Sequence, residues 1–519
     1  MEHLRVPTEV SLGEVRARGF SWSPGMYRGV VIPTACVRRL GGLLAAHENG
    51  AEVGSRACLR QSSCYFIRTK ALQDHSYLTQ FKGDSVEPIS PKAYARAVGG
   101  HPRREIKDGD VLYARGGSVG EVAIADGCGK ATISSHMVHL VFAEHEWYCF
   151  AFMKHPVCRL QQQPHQRGAI RALDNFRWET LLECLVPFPS QRDAERVVRY
   201  VSVLLEAIVA KERAIRKKSD TIHEAITSEF LAGQSSTAFH FHHPTVADLR
   251  LTRRLDAAIH GREYKSKIWL VENYARGWRT PKRAGFAVTP GPSLEIKLLR
   301  TRIDSQVPRA GFYSLIIPTN ISEYGTLNRV TYIGTGYKLP LLRQGDVLFG
   351  EAGFQKGRSV VLLDGIENCT TNAHGLYARR ADGEIQESVF FRCIFNWYRS
   401  MGLIDLMAVG GSGGHFSPEY FDYVRIPKFP EAVKAGIVKL YHNKAAPPGS
   451  APTMANFVAW HEQWNQDLGV WELDREMKAL QAELAKVQDQ IIEGKTVAVP
   501  LAAPLEPART VRSQWRKRL

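Results

Sequence analysis

A repeated block restricts the fold more than any other feature of this chain. Residues 104–127 read REIKDGDVLYARGGSVGEVAIADG, and residues 341–365 read LLRQGDVLFGEAGFQKGRSVVLLDG. In each, Gly-Asp-Val-Leu (Gly109 to Leu112, Gly345 to Leu348) is followed by an aromatic residue, a glycine-bearing polar turn, an apolar run and an Asp-Gly pair. Gly-Asp makes a turn, the apolar-aromatic run suits a strand, and Asp126-Gly127 or Asp364-Gly365 reverses the chain, so the pattern predicts one hairpin, twice. Both blocks continue alike. A polar stretch carries a histidine (ATISSHMVHLVF around His136, CTTNAHGLYARR around His374), and an aromatic-rich helical segment follows. Each copy then ends in a glycine-containing loop, a short helix and a Pro-flanked strand, over 165–191 and 409–431. An ordered series of elements that recurs in one chain predicts two similar α+β domains.

Between the copies lies residues 191–233, which read as one helix of roughly 64 Å at about 1.5 Å per residue. Pro187 and Pro189 precede it, Ser190 with Asp193 suits its N-terminal cap, and Gly233 suits its end. Its apolar residues follow a seven-residue repeat, with Val201, Ile208, Ile215 and Ile222 on one line and Val197, Leu204 and Ala225 on the other. Lys211 and Lys218 interrupt the second line, so their side chains are expected to snorkel or to meet acidic partners. A cleaner stripe, Leu473, Met477, Leu480, Leu484, Val487 and Ile491, runs through 471–494 and ends at Gly494 and Pro500. The two stripes predict a coiled-coil pairing.

The expected order is a first domain (1–189), the central helix (190–234), a His-rich linker (235–249) and a second domain (250–430). A connecting segment (431–462), the C-terminal helix (463–495) and a basic tail (496–519) follow. His240, His242 and His243 read as linker, since no second ligand cluster accompanies them.

A formal charge of +16, from 68 Lys and Arg against 52 Asp and Glu, favours a polyanionic partner, nucleic acid foremost. No stretch reaches the ~18 apolar residues of a membrane span and the N-terminus has no signal-peptide core, so a cytoplasmic location without membrane contact is expected. The nine cysteines form no C-x-x-C pair and read as reduced and idle. There is no G-x-x-x-x-G-K-[ST] loop, no Asn/Asp-Pro-Pro-aromatic tetrapeptide and no G-x-G-x-x-G after a strand. Asp108 and Asp110 flank a turn glycine, where a structural role is the default. These absences predict a chain that is not an enzyme, has no metal site and carries no cofactor of its own.

The duplicated Gly-Asp-Val-Leu hairpin, the glycine loop leading to Pro-Phe-Pro-Ser-Gln or Pro-Lys-Phe-Pro-Glu, the Arg254-Leu255-Asp256 opening and a long helix after each half resemble the specificity subunit of type I restriction-modification systems. The resemblance covers the chain from about Ser11 to Gly494. It implies two target recognition domains joined by helices in an antiparallel coiled coil, each reading one half of a bipartite site in double-stranded DNA. It implies DNA methyltransferase subunits docked on the helices, with S-adenosylmethionine bound there, and leaves room for a restriction or translocase subunit. The lysines in the seam, the Pro-rich segment before the C-terminal helix and the tail ARTVRSQWRKRL depart from the pattern. Polar and basic side chains beside glycines are the candidate DNA contacts. In the first domain these are Arg115, Ser118, His136, Arg167 and Arg171. In the second they are Gln355, Lys356, Arg358, Asn372, His374, Ser412 and His415. From another class, a non-catalytic scaffold binding proteins or glycans through two domains on a coiled-coil spacer fits the same duplication.

Overall fold

In the computed structural model, residues 4–5, 7–17, 29–81, 83–117, 119–162, 179–236, 238–353, 356–410 and 414–501 are described. The chain forms two compact units. One comprises 1–212, 447–464 and 476–519, and the other 213–446 and 465–475.

The first unit is built on a four-stranded antiparallel sheet in the order Leu44–Asn49, Met137–Phe142, Val111–Ala114, Val122–Ile124. The second repeats it with Phe286–Pro290, Gly375–Arg380, Val347–Gly350 and Ser359–Val361. The predicted hairpins are the last two strands of each. Gly-Asp recurs for a physical reason. Gly109 and Gly345 have φ of 99° and 84°, a region open to glycine, and the aspartate after each closes the turn by accepting from the backbone. Asp110 Oδ2 takes the Lys107 amide at 2.9 Å, and Asp346 Oδ2 takes the Arg343 amide at 2.7 Å.

A smaller sheet accompanies each. It is Val86–Ile89, Cys64–Ile67, Lys130–Ile133 in the first unit and Ile303–Ser305, Thr331–Gly334, Tyr313–Leu315, Cys369–Thr370 in the second, and in both the last pair is parallel. The predicted aromatic helices are Glu146–Lys154 and Ile385–Ser400. Arg254 of the Arg-Leu-Asp opening is a structural anchor: it is buried, bonds Asp256 at 2.7 and 2.8 Å, gives Nη1 to the Met407 carbonyl, and stacks over Tyr420.

The central helix runs Ala194–Ala232, starting after Asp193, whose carbonyl accepts from the Arg196 and Val197 amides. In the first unit Val201, Leu204 and Ile208 share one buried core with Leu484, Val487 and Ile491, and Met477 and Leu480 pack against it. The pairing there is antiparallel. Gln191 exchanges two hydrogen bonds with Val497, Arg196 reaches the Leu501 carbonyl, Tyr200 meets Glu483, and Lys211 faces Glu476. In the second unit Ile215, Ile222 and Leu473 are buried. There the helix is held by aromatic contacts, with the Phe230 ring tilted against Trp397 and edge-on to Phe429, each at 5.0 Å, and Trp397 Nε1 donating to Thr227 Oγ1.

Three sequence expectations change. The expected helix over 463–495 is two, Phe457–Asp467 and Val470–Ile492. The break falls at Gly469, whose amide bonds the Asn443 carbonyl and where a Cβ would press on Tyr441 and Asn443 backbone. Glu431–Tyr441, expected as connecting chain, is also a helix. The 235–249 linker ends in the helix Val246–Thr252, started by a reciprocal capping box between Thr245 and Asp248.

Lys211 does not snorkel. It is fully buried, with Nζ 5.0 Å from the Trp464 ring centroid, and burial lowers its pKa to about 8 against the opposing pull of Glu476. His461 nearby is held near a pKa of about 3, first by burial and then by the Lys211 charge. Lys218 gives Nζ to the Gln466 carbonyl at 2.9 Å. Because the folded pKa of Lys211 lies below the unfolded one, the unfolded chain holds more protons between about pH 8 and 10.5, and stability rises with pH across that window. Lys211→Met is therefore expected to raise stability at pH 7 by up to roughly 3 kcal/mol and to flatten the rise above pH 8. Ile208→Ala in the same seam should instead cost about 2–5 kcal/mol; denaturant titrations of both variants across pH check the pair.

Candidate nucleic-acid interface

In each unit the strand that begins at Gly-Asp-Val-Leu delivers its next residue to the end of the main sheet. After Val111–Ala114 that residue is Arg115, and after Val347–Gly350 it is Glu351. The frames share three backbone hydrogen bonds at matching positions. The Arg115 amide donates to the His136 carbonyl at 2.8 Å, and the Glu351 amide to the His374 carbonyl at 3.0 Å. Gly120 bonds Ala114 as Gly357 bonds Gly350, and Gly50 bonds Met137 as Gly291 bonds Gly375. Gly50 and Gly291 are glycines for a shared reason: a Cβ on either would strike the carbonyl before the histidine turn, Ser134 or Asn372.

In the first unit Arg115 is half-buried, and its Nη1 donates to Asn49 Oδ1 at 3.0 Å. His136 is exposed beside it, its Nδ1 so close to Gly116 that a Cβ there would lie 2.9 Å away. Ser118, Arg167 and Arg171 lie outside the described residues.

In the second unit His374 and His415 come from different segments to the same carboxylate. His374 Nδ1 is 3.6 Å from Glu351 Oε2, and His415 Nδ1 is 3.9 Å from Oε1. His415 is placed by bridges to Ala352 and Val409, and the Phe416 amide bonds the Glu351 carbonyl at 2.8 Å. Asn372 is half-buried in the turn before His374. Lys356 and Arg358 point elsewhere. Lys356 pairs with Asp405 at 3.0 Å, and Arg358 gives Nη1 to the Ile321 carbonyl, its pKa lowered by burial and then by Arg399. Gln355 and Ser412 lie outside the described residues.

Both sites are thus turns of exposed imidazole around one charged side chain, on a sheet end that positions it from the backbone. Of the sequence candidates, the structure brings Arg115 and the three histidines to these turns, beside Asn49 and Glu351, which the sequence reading did not name. Glu351 was legible in principle, since VLYAR and VLFGE align residue for residue. Asn49 was not, because it meets Arg115 only through strand pairing. Among the described residues, no group of His, Cys, Asp and Glu could hold a metal ion, and no helix is long and apolar enough to cross a membrane.

No family model matches the chain, and no curated protein matches it. Among solved structures, it is similar to the type I restriction-modification system S subunit from M. genitalium, at 11% identity over 88% of this chain and 95% of that one, with a TM-score of 0.41. It is similar to the HsdS subunit from Thermoanaerobacter tengcongensis, at 13% identity over 90% and 99% of the two chains, with a TM-score of 0.26. A third likeness, at 14% identity over 89% and 99% with a TM-score of 0.25, is to a chain from work on complex assembly and conformational transition of the type I R-M system. The S subunits among these are of the family the sequence resembles.

Gly291→Ala should lower stability by about 1–3 kcal/mol, since its Cβ would meet the Asn372 carbonyl and a backbone atom cannot swing aside. Thermal melting of the variant against the parent chain measures this.

Proposed function

We propose that the chain is the DNA-recognition subunit of a type I restriction-modification complex or a related defence complex. The observation that carries this reading is the doubling of one frame: two units with the same sheet order and the same hydrogen bonds each hold a polar turn at the same sheet end. A strongly basic chain that presents a polar turn twice on one frame is suited to two segments of a polyanion, and duplex DNA is such a partner. In this reading each unit contacts one half of a bipartite site. His136, His374 and His415 stand at the contacts with Arg115, and Asn372 supports the second turn. Ser118, Arg167, Arg171, Gln355 and Ser412 remain candidates from the sequence.

The chain itself carries out no chemistry in this proposal. Methyltransferase subunits, with S-adenosylmethionine bound to them, dock on the central and C-terminal helices, a restriction subunit joins where the system has one, and the complex works in the cytoplasm.

The test is a genome-wide map of modified bases in cells with and without the gene. A split motif with an unread gap should vanish with the gene. Exchanging 250–430 for the matching domain of a related protein should change one half of that motif and leave the other half intact. A motif without a gap, or an exchange that alters both halves, would overturn the assignment.

A further inference from the structure

The matched frames put Arg115 and Glu351 at one structural position with opposite chemistry. A guanidinium only donates hydrogen bonds, and a carboxylate only accepts them. Their surroundings keep that difference usable. Asn49 Oδ1 takes one end of the Arg115 guanidinium at 3.0 Å and orients the rest of its N–H edge. The position matching Asn49 in the second unit, before Gly291, is Pro290, which has no polar side chain, and Glu351 is flanked there by imidazoles instead. Those imidazoles lie at 3.6 and 3.9 Å, beyond hydrogen-bond length, so they flank the carboxylate without occupying its lone pairs. The turn is open: the His374 and His415 side chains are 65% and 55% exposed, and that of Glu351 is 21% exposed between them.

We propose that Arg115 and Glu351 are the matched specificity-determining residues of the two units. Arg115 donates to the acceptor edge of a guanine, and Glu351 accepts from the exocyclic amino group of a cytosine or adenine. The proposal rests on the DNA-recognition reading above and adds which base chemistry each unit selects.

The argument is strongest for Glu351. In the major groove guanine presents the acceptors N7 and O6, thymine presents O4, and only cytosine N4 and adenine N6 offer donors. A carboxylate gains nothing from phosphates, which repel it, so at a DNA-facing turn it can add only base selection. It accepts from an amino group and disfavours guanine or thymine at the same spot through opposed lone pairs, so it selects by rejection as well as by attraction. Arginine at the matched position does the converse, since its fork fits the paired guanine acceptors. One backbone frame used twice thereby reads two different bases by exchange of the charged side chain and its neighbours.

The test is selection of bound duplexes from a randomised pool by the full-length chain and by Arg115→Gln, Glu351→Gln and Glu351→Arg, each also melted to show that its fold is kept. Glu351→Gln, whose amide donates as well as accepts, should admit guanine or thymine at one base pair, leaving the other half-site unchanged. Glu351→Arg should move that same base pair to guanine. Arg115→Gln should relax one guanine in the other half-site. If the parent chain selects a motif and the folded variants keep it with affinity within about twofold, base reading lies elsewhere; the specificity assignment falls while the DNA-recognition reading stands. Uniform weakening on every sequence would mark an electrostatic role and overturn it equally. A parent chain that selects no motif at all would overturn both.

Discussion

Burial of one continuous helix in two separate cores is the constraint on which the rest of the structure depends. The residues of Ala194–Ala232 up to 212 join the first unit and those from 213 join the second, so neither unit completes its core without its share of that element. In the first unit the helix meets the C-terminal helix through aliphatic side chains. In the second, Phe230 and Thr227 lock it to Trp397. In the first unit hydrogen bonds of Arg196 and Glu212 add direction to that apolar burial, and in the second the ring geometry and the Trp397–Thr227 hydrogen bond do so.

The seam also tolerates a buried charge. Lys211 is kept in the apolar interior by a tryptophan face and by Glu476, at a cost that shows in its lowered pKa of about 8. The repeat leaves two outcomes open for such a lysine, snorkelling or an acidic partner, because a seven-residue pattern records spacing and not what packs over it; the structure has the acidic partner, Glu476. The covering side chains, Trp464 and His461, come from a helix whose separation from the next one depends on Gly469.

Each candidate interface inherits its precision from the sheet and not from the turn itself. The glycines at 50 and 291 let backbone approach backbone, the paired amides fix where the histidine turns begin, and the charged residue is then carried on the end of a buried strand. Side chains set on a strand end keep their position while their chemistry changes, so one scaffold can hold an arginine in one copy and a glutamate in the other.

Local order in the sequence determined the elements. Glycine needs at Gly109 and Gly345, strand-forming runs after them and heptad spacing in the helices are properties of neighbouring residues, so the duplicated hairpins, the aromatic helices and the two long helices were legible in the sequence by itself. The capping box at Thr245 is equally local, but the histidine-rich stretch in front of it masks the start of its helix. Only the tertiary structure decided that Asn49 meets Arg115, that His374 and His415 converge on Glu351, that Lys356 turns to Asp405, and that Lys211 lies beneath Trp464. Those partnerships join residues far apart in the chain, and strand register and core packing choose them from many side chains of the same kind; no spacing rule encodes that choice.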